Sequence, residues 1–272
     1  TGVVNRLIAE KDNPQADVFW SGDPARPALL EFKGIITPYF PSAASDIPKM
    51  YKDDDGHWTG FSARARIILY NSSLVSMDER PLSIFDLAKP VWRGQVAIAN
   101  PLFGTTSVHM AALFIILGDE KARKFLNDLK ANGVKIVSSN SEVRRLVARG
   151  EVKVGITDTD DANVAVREGS AVKIVYPDQS GMGTLIMPNM VCLIKNSPNQ
   201  GNGKKLINYL VSSEVEKSLA FAMCAQMPLR HYVGTPADVL TIAAIKGMDI
   251  NYHDVAMKLD KIGEFLKQWA GY

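Results

Sequence analysis

The alternation of strand-like and helical segments is the sequence feature that most restricts the fold of this chain. Seven short apolar runs have strand character, at residues 17–20, 65–70, 95–99, 134–138, 152–156, 172–176 and 189–195. Segments with helical periodicity stand between most of these runs. Such alternation is typical of βαβ units around a largely parallel sheet. The sequence therefore predicts an α/β fold.

Local signals indicate where several helices begin and end. Ser139–Glu142 and Ser213–Glu216 have the spacing of an N-terminal capping box. Gly118 and Gly133 stand where two helices are expected to end. The longest apolar run, Met110–Leu117, falls far short of the ~20 residues that cross a bilayer, so we expect a buried helix there.

Composition limits the class of protein and its partners. The chain has 272 residues, 46% hydrophobic and 22% charged, as expected of a soluble protein with one large or two modest domains. The formal net charge is only +2, and Lys/Arg runs of five or more are absent from the sequence. We therefore expect no nucleic-acid partner. Cys192 and Cys224 permit one disulfide, but two buried free thiols are the preferred interpretation.

Residues 17–23 (D-V-F-W-S-G-D) join a short apolar strand to a small polar turn. Ser21, Gly22 and Asp23 would present backbone amides and a hydroxyl beyond the end of this strand. In open α/β sheets, ligands bind beyond the carboxyl ends of the strands. The turn is therefore a candidate ligand wall, and an ordinary strand-to-helix turn is the alternative.

A second candidate turn consists of Gly104, Thr105, Thr106 and Ser107, which follow the strand at 95–99 and open a helix. Amides and hydroxyls at a helix N terminus are favourably placed for an anion. These residues therefore form a candidate oxyanion site. The alternative is that one of the threonines simply caps the helix.

Three carboxylates, Asp158, Asp160 and Asp161, fall on one short turn after the strand at 152–156. Clustered carboxylates are hard oxygen ligands for a cation, or hydrogen-bond acceptors for an ammonium or hydroxyl group. The alternative is a set of solvated loop acids, one of which caps the next helix. The cluster is thus a possible metal site or a site for the positive part of a ligand.

Two arginines, Arg64 and Arg66, lie two residues apart, the first just before the strand-like segment 65–70 and the second within it. Because side chains alternate along a strand, both arginines face one side of the sheet. Either arginine could neutralise an anionic ligand. The alternative is structural pairing with nearby acids.

Signatures of catalysis are missing from the sequence. It contains neither a G-x-S-x-G nucleophile elbow nor an H-E-x-x-H metal motif, and its histidines are scattered. The two cysteines lack C-x-x-C spacing. We therefore predict no catalytic residue and no cofactor.

Six segments occur in an order that is known from one protein family. They are N-R-L-I-A-E-K-D-N-P-Q-A-D-V-F-W-S-G-D (5–23), W-T-G-F-S-A-R-A-R-I-I-L-Y-N (58–71), V-W-R-G-Q-V-A-I-A-N-P (91–101), G-T-T-S (104–107), S-N-S-E-V (139–143) and A-R-G-E-V-K-V-G-I (148–156). This ordered set resembles the extracellular solute-binding proteins of bacterial ABC importers, and most of all their ferric-iron-binding-protein-like branch. The resemblance covers most of the chain.

The resemblance implies a periplasmic-binding-protein type II fold, in which two α/β lobes joined by crossover strands close around a ligand. Lobe one would comprise residues 1–60 and 190–272, and lobe two residues 70–182. Hinge segments would lie at 61–69 and 183–189. The family also has an opening β-strand region that we expect this chain to lack.

The resemblance also assigns roles to single residues. Asn140 occupies the place of the family's anion-contacting asparagine. Thr159 and Asp160 stand where ferric-binding members carry a tyrosine pair, and Gly22 replaces a family acid beside Asp23. The missing phenolates argue against high-affinity ferric binding in the family manner.

The sequence thus predicts a solute receptor that captures a small anionic solute, or a ferric ion with an anion, between two lobes. The residues expected to contact the ligand are Ser21, Gly22, Asp23, Arg64, Gly104, Thr105, Thr106, Ser107, Asn140, Asp158, Thr159 and Asp160. The partner would be an ABC permease in the inner membrane, and the receptor would be periplasmic or extracellular and, if full length, monomeric. The given residues include no signal peptide, which fits a mature exported protein and a cytosolic one equally.

Two alternatives from other classes of protein remain at this point. The effector-sensing domain of a cytosolic transcription regulator can share this two-lobed fold, and so can some enzymes. The helix-turn-helix segment that a regulator would need is missing from the sequence.

Overall fold

The computed structural model describes residues 2–272, along which helices and strands alternate. The strands are β1 (Val18–Ser21), β2 (Ile36–Thr37), β3 (Thr59–Asn71), β4 (Val96–Ala99), β5 (Lys135–Val137), β6 (Val154–Asp158), β7 (Val172–Val175) and β8 (Ile186–Ile194). The α-helices are α1 (Gly2–Ala9), α2 (Ala25–Phe32), α3 (Gly104–Leu117), α4 (Asp119–Ala131), α5 (Asn140–Ala148), α6 (Thr159–Arg167), α7 (Gln200–Leu210), α8 (Ser213–Phe221) and α9 (Tyr252–Ala270). Short 3-10 helices lie at Ser42–Ala44, Lys49–Tyr51, Ile84–Ala88, Pro90–Trp92 and Ile242–Ala244. The predicted α/β class is confirmed, and β2 is a strand that the sequence pattern did not predict.

The chain folds into two compact units. The first comprises the chain as far as Arg64 together with Met187–Ala243, and the second comprises Ala65–Ile186 with Ala244–Tyr272. The chain therefore passes between the units within β3, at the start of β8, and again after Ala243. Residues 244–272, which we expected in lobe one, group with the second unit in the structure.

In the first unit, β8 has an antiparallel neighbour on either side. Val18 of β1 lies opposite Leu193, and Ile36 of β2 lies opposite Ile194. Strand β8 is buried along its whole length, as its nearly continuous apolar sequence leads us to expect.

The sheet of the second unit has the strand order β7-β3-β6-β4-β5. Strand β4 lies between β5 and β6 and is parallel to both, while β3 is antiparallel to β6 and β7. Because β4, β5 and β6 are parallel, their carboxyl ends meet at one edge of the sheet. Helices α3, α5 and α6 begin at this edge, which is where ligands bind in open α/β sheets.

Helix α3 and helix α9 explain why the C-terminal residues belong to the second unit. Ten consecutive residues of α3, Thr105–Phe114, are buried. Helix α9 packs against α3 and buries Ile262, Leu266 and Trp269, which share one face of the helix. The Trp269 indole N–H also donates a hydrogen bond to the Leu126 carbonyl at 2.9 Å. The apolar face of α9 is therefore part of the core of the second unit.

Gly155 of β6 allows α5 to pack close to the sheet. A Cβ atom at this position would lie 2.4 Å from Val143 Cγ1 and 3.1 Å from the Ala97 carbonyl oxygen. A glycine in a strand often marks such a close approach. The short distance between α5 and β6 fixes where the first turn of α5 lies.

One predicted capping box is confirmed in part, and the other is wrong. The Ser139 hydroxyl caps α5 by accepting a hydrogen bond from the Glu142 N–H at 3.2 Å. At Ser213–Glu216 the cap is instead the preceding residue, Ser212. The Glu216 carboxylate is fully buried and pairs with Arg230 at 2.9 Å. Only Ser213 has a glutamate three residues later, so the capping-box pattern placed the cap one residue too late.

The two cysteines are thiols, and no disulfide joins them in residues 2–272. Cys192 is buried as expected, and burial raises the pKa of its thiol. Cys224 is only partly buried, which differs from the expectation. Over the same residues, no helix combines the length and apolarity that a membrane span requires.

Candidate functional site

Helices α3, α5 and α6 of the second unit begin around one arginine. Thr105 and Thr106 belong to the first turn of α3, Asn140 is the first residue of α5, and Asp158 directly precedes α6. Arg66 stands opposite Asp158 in the antiparallel pairing of β3 with β6. We call these five residues the Arg66 cluster.

Arg66 is fully buried and donates hydrogen bonds to every other member of the cluster. Its Nη1 lies 2.7 Å from Asp158 Oδ1, 3.0 Å from Asn140 Oδ1 and 3.3 Å from Thr105 Oγ1. Its Nη2 lies 3.3 Å from Thr106 Oγ1. The Arg66–Asp158 pair is thus a buried, charge-assisted hydrogen bond that joins the helix starts to the sheet.

Both carboxylate oxygens of Asp158 are engaged within the chain. Oδ1 accepts from Arg66, and Oδ2 accepts from the Thr105 hydroxyl at 2.6 Å and from Asn140 Nδ2 at 2.9 Å. The side chain is only 2% exposed. Asp158 is therefore less suited to direct contact with a ligand or metal than its place in the sequence suggested.

The hydroxyl of Thr106 is used less within the protein than the other hydroxyl and amide donors of the cluster. The Thr105 hydroxyl and the Asn140 amide already donate to Asp158, and Asn140 also donates to Thr105 Oγ1 at 2.8 Å. The Thr106 hydroxyl donates only a long contact of 3.4 Å to Asn140 Oδ1. Among the hydroxyl and amide donors of the cluster, the Thr106 hydroxyl is thus the least committed to the protein.

The first turn of α3 has no side-chain cap. Its N-cap residue is Phe103, which cannot accept a hydrogen bond from the helix amides. Gly104 has φ +57°, and no heavy atom of residues 2–272 beyond its own helix and chain neighbours lies within 4 Å of where a Cβ would stand. Ser107 is buried and donates to the Gly104 carbonyl at 2.8 Å. The amides of this turn and the helix dipole together favour an anion.

The acidic turn at the start of α6 is more open than Asp158. Asp160 and Asp161 are half-buried, and one carboxylate oxygen from each lies within 4.8 Å of the others and of one from Asp158. Ser141 donates to Asp161 Oδ1 at 2.7 Å. Thr159 is buried, and its hydroxyl oxygen accepts from the Ala65 N–H at 3.1 Å.

In the first unit, Ser21 and Asp23 stabilise the turn after β1. The Ser21 hydroxyl donates to the Asp23 carbonyl at 2.7 Å, and Asp23 Oδ1 accepts from the Ala25 N–H at the start of α2. Asp23 Oδ2 pairs with Arg26 Nε at 2.9 Å. Burial raises the pKa of Asp23, and the neighbouring Arg26 opposes that shift. These contacts match the ordinary strand-to-helix turn that the sequence left as the alternative.

Gly22 and Arg64 belong to a polar network of the first unit that sequence analysis missed. Arg64 Nη2 donates to Asn189 Oδ1 at 2.7 Å, and Asn189 Nδ2 donates to Ser62 Oγ and Gln226 Oε1 at 2.6 and 2.9 Å. A Cβ on Gly22 would lie 3.1 Å from Arg64 Nη2, so only glycine allows this approach without a shift. The one signal in the sequence was an asparagine inside the buried apolar strand β8.

His109 lies one helical turn beyond the threonines of α3. It is 1% exposed, and its Nδ1 has no hydrogen-bond partner in residues 2–272. Burial lowers the pKa of His109 well below its ordinary value of 6.5, and the charge of Arg66 lowers it further. The imidazole is therefore neutral beside the cluster.

We expect His109 to make the protein less stable as the pH falls below 6.5. The unfolded chain takes up a proton at His109 that the folded chain does not, so the free energy of unfolding should fall as the pH is lowered from 7.5 to 5.5. His109→Gln should remove this part of the pH dependence in denaturant titrations. His231→Gln, at an exposed histidine, should leave it in place. Identical pH slopes for His109→Gln and the unchanged protein would contradict the assignment.

Comparison with known proteins gives relatives over nearly the whole chain. Iron uptake protein A1 of Synechocystis is 28% identical over 251 residues, which cover 86% of this chain and 69% of that protein. A putative 2-aminoethylphosphonate-binding periplasmic protein of Salmonella typhi is 29% identical over 267 residues, which cover 94% of this chain and 77% of that protein.

A solved structure supports the same relationship at the level of the fold. Iron-bound HitA from Pseudomonas aeruginosa matches 100% of this chain and 88% of its own chain, with a TM-score of 0.87 and 21% identity. This likeness confirms the predicted periplasmic-binding-protein type II fold. The family model for bacterial extracellular solute-binding proteins matches residues 13–242. The chain therefore belongs to the family of bacterial extracellular solute-binding proteins.

Proposed function

We propose that the second unit binds a small organic oxyanion at the first turn of α3, and that the ligand carries a positive group beside Asp160. The observation that carries this proposal is the convergence of three helix starts on the buried Arg66, with α3 uncapped. As a member of its family, the protein is a solute receptor. We infer that it acts outside the cytoplasm and delivers its solute to a membrane permease, without any covalent step.

The first turn of α3 supports an anionic ligand. Its first-turn amides lack a side-chain acceptor, and the helix dipole places partial positive charge there. Thr106 adds a hydroxyl donor that is weakly used within the protein. The charge of Arg66 is already balanced by Asp158, so neutral donors would hold the anion.

The acidic turn of α6 supports a positively charged group on the ligand. Asp160 and Asp161 add two carboxylates to the site, and these would repel a ligand that carries negative charge alone. An ammonium group would turn this repulsion into charge-assisted hydrogen bonds. A zwitterion with an amine and a phosphonate, as in the name of the Salmonella relative, has this chemistry.

A ferric ion with an anion is the competing ligand, because one relative is named for iron uptake. Of the two positions where ferric-binding members carry tyrosines, Thr159 is buried with its hydroxyl oxygen bonded to a backbone amide. Only Asp160 remains there as an anionic oxygen donor. The donor set of the second unit therefore favours the zwitterion.

Calorimetric titration with 2-aminoethylphosphonate and with inorganic phosphate tests the proposal. Thr106→Val should weaken the binding of both probes by about 1–3 kcal/mol, or roughly fivefold to 150-fold, because it removes one buried donor. Asp160→Asn should weaken only 2-aminoethylphosphonate. Ferric citrate should bind less tightly than 2-aminoethylphosphonate.

The matched control is Thr184→Val, which removes another buried hydroxyl of the second unit. That hydroxyl donates to the Pro177 carbonyl at 2.8 Å and accepts from Gln179 Nε2 at 2.9 Å, so these hydrogen bonds lie outside the Arg66 cluster. Its removal should leave both affinities unchanged. Tight ferric binding that is insensitive to Thr106→Val would overturn the proposal.

A further inference from the structure

We infer that Glu31, Asp53 and His57 of the first unit form a binding site for a divalent transition-metal ion of the zinc class. None of these residues belongs to the Arg66 cluster or to the acidic turn of α6. The inference is therefore independent of the proposed function. It concerns residues that the sequence analysis did not select.

The three side chains come from two segments of the first unit. Glu31 lies near the end of α2, whereas Asp53 and His57 lie on a short loop that precedes β3. The Gly56 N–H of this loop donates to the Asp53 carbonyl at 3.1 Å, and Gly56 has φ +80°, which favours glycine. The His57 N–H donates to Asp53 Oδ2 at 2.9 Å. The loop itself therefore fixes the positions of Asp53 and His57.

The distances between the donor atoms match those of a zinc site. His57 Nδ1 lies 3.2 Å from Asp53 Oδ2 and 3.5 Å from Glu31 Oε1. One carboxylate oxygen of Glu31 also lies within 4.8 Å of one from Asp53. Bonds of about 2.0–2.2 Å that meet at tetrahedral angles place the ligand atoms of zinc about 3.3–3.6 Å apart. The two distances from Nδ1 are close to this separation, so only small shifts would be needed to coordinate an ion.

A metal ion suits this arrangement better than a hydrogen bond does. Nδ1 of a neutral imidazole carries at most one proton, which cannot serve the carboxylates of Glu31 and Asp53 equally. Two carboxylates this close together repel each other, and a divalent cation between them would remove the repulsion. Imidazole combined with carboxylate favours zinc and similar ions over magnesium and calcium, which prefer oxygen ligands alone.

The site is open enough for an ion to enter. The side chains of His57 and Glu31 are each 21% exposed, and that of Asp53 is 7% exposed. Three protein ligands would leave one position of a tetrahedral ion to water. The bound ion would tie α2 to the loop before β3 and so stabilise the first unit.

Titration of the ligand-free protein with zinc chloride tests the inference. The unchanged protein should bind zinc with a rise in Tm, and X-ray absorption of the complex should show nitrogen and oxygen ligands at about 2.0–2.2 Å. His57→Gln and Glu31→Gln each remove one ligand and should weaken zinc binding by about tenfold or more. Both variants should also lose the rise in Tm, and His57→Gln should lose the imidazole signal in the absorption spectrum.

Two control variants show whether the ion binds at this site. His231→Gln removes an exposed histidine of the same unit, and Asp160→Asn removes a carboxylate of the acidic turn of α6. Both should bind zinc as the unchanged protein does. Zinc binding that is lost in Asp160→Asn and kept in His57→Gln would overturn the inference, and so would failure of the unchanged protein to bind zinc. Neither result would affect the proposed function, which depends on the binding of 2-aminoethylphosphonate.

Discussion

Arg66→Met should lower the free energy of unfolding by about 3–5 kcal/mol, because it leaves a buried carboxylate without its cation. The Asp158 side chain is 2% exposed, so water cannot replace the lost guanidinium. Thr105 and Asn140 would still donate to Asp158, but both are neutral. Denaturant titration gives the change in free energy, and hydrogen exchange of β3 and β6 amides shows whether the loss is in the second unit.

Two further variants make the test of Arg66 specific. The double variant Arg66→Met/Asp158→Asn also removes the buried carboxylate charge. It should therefore recover more than half of the free energy of unfolding that Arg66→Met loses. Lys124→Met breaks the exposed Lys124–Asp128 pair and should change the stability by less than about 1 kcal/mol. A loss below about 1 kcal/mol in Arg66→Met itself would show that the pair contributes little to the fold.

Arg230→Met should destabilise the first unit by a similar amount, about 3–5 kcal/mol. Arg230 Nη1 lies 2.9 Å from Glu216 Oε2, and the two side chains are 1% and 0% exposed. The guanidinium also donates to the Val211 carbonyl at 3.0 Å, which would lose this partner. Glu216 would keep the backbone amides of residues 229 and 230, which are neutral donors.

Hydrogen exchange again identifies the unit that is affected. Arg230→Met should speed the exchange of α8 amides and leave those of β4 and α3 protected, because these belong to the second unit. Arg230→Lys keeps a charge but cannot reproduce the planar, multiple hydrogen bonds of arginine, so it should recover only part of the loss. Equal stability of Arg230→Met and the unchanged protein would contradict the structural role.

Most of the fold could be predicted from local sequence patterns. The strand-like runs gave every strand except β2, whose two residues are too few to show a period. The apolar run that includes Met110 and Leu113 correctly indicated the buried helix α3. Residues 244–272, which we expected in lobe one, group with the second compact unit, because the apolar face of α9 shows that it is buried but not which surface covers it.

Less of the candidate site could be predicted, because its organisation depends on pairs that are distant in sequence. Arg66 and Asp158 are 92 residues apart and meet through strand register. The sequence treated Arg64 and Arg66 as equivalent, but Arg64 bonds to Asn189 of the first unit. The roles predicted for single side chains toward a ligand stay predictions until binding is measured.

The burial of α3 has a consequence for how the receptor can diversify. A helix encased over Thr105–Phe114 cannot tilt or slide to suit a new solute, so its amides keep one orientation before and after binding. Such rigidity spares the complex an ordering cost. A change of solute would then come from substitutions of exposed residues around the site, while helix α3 itself stays the same.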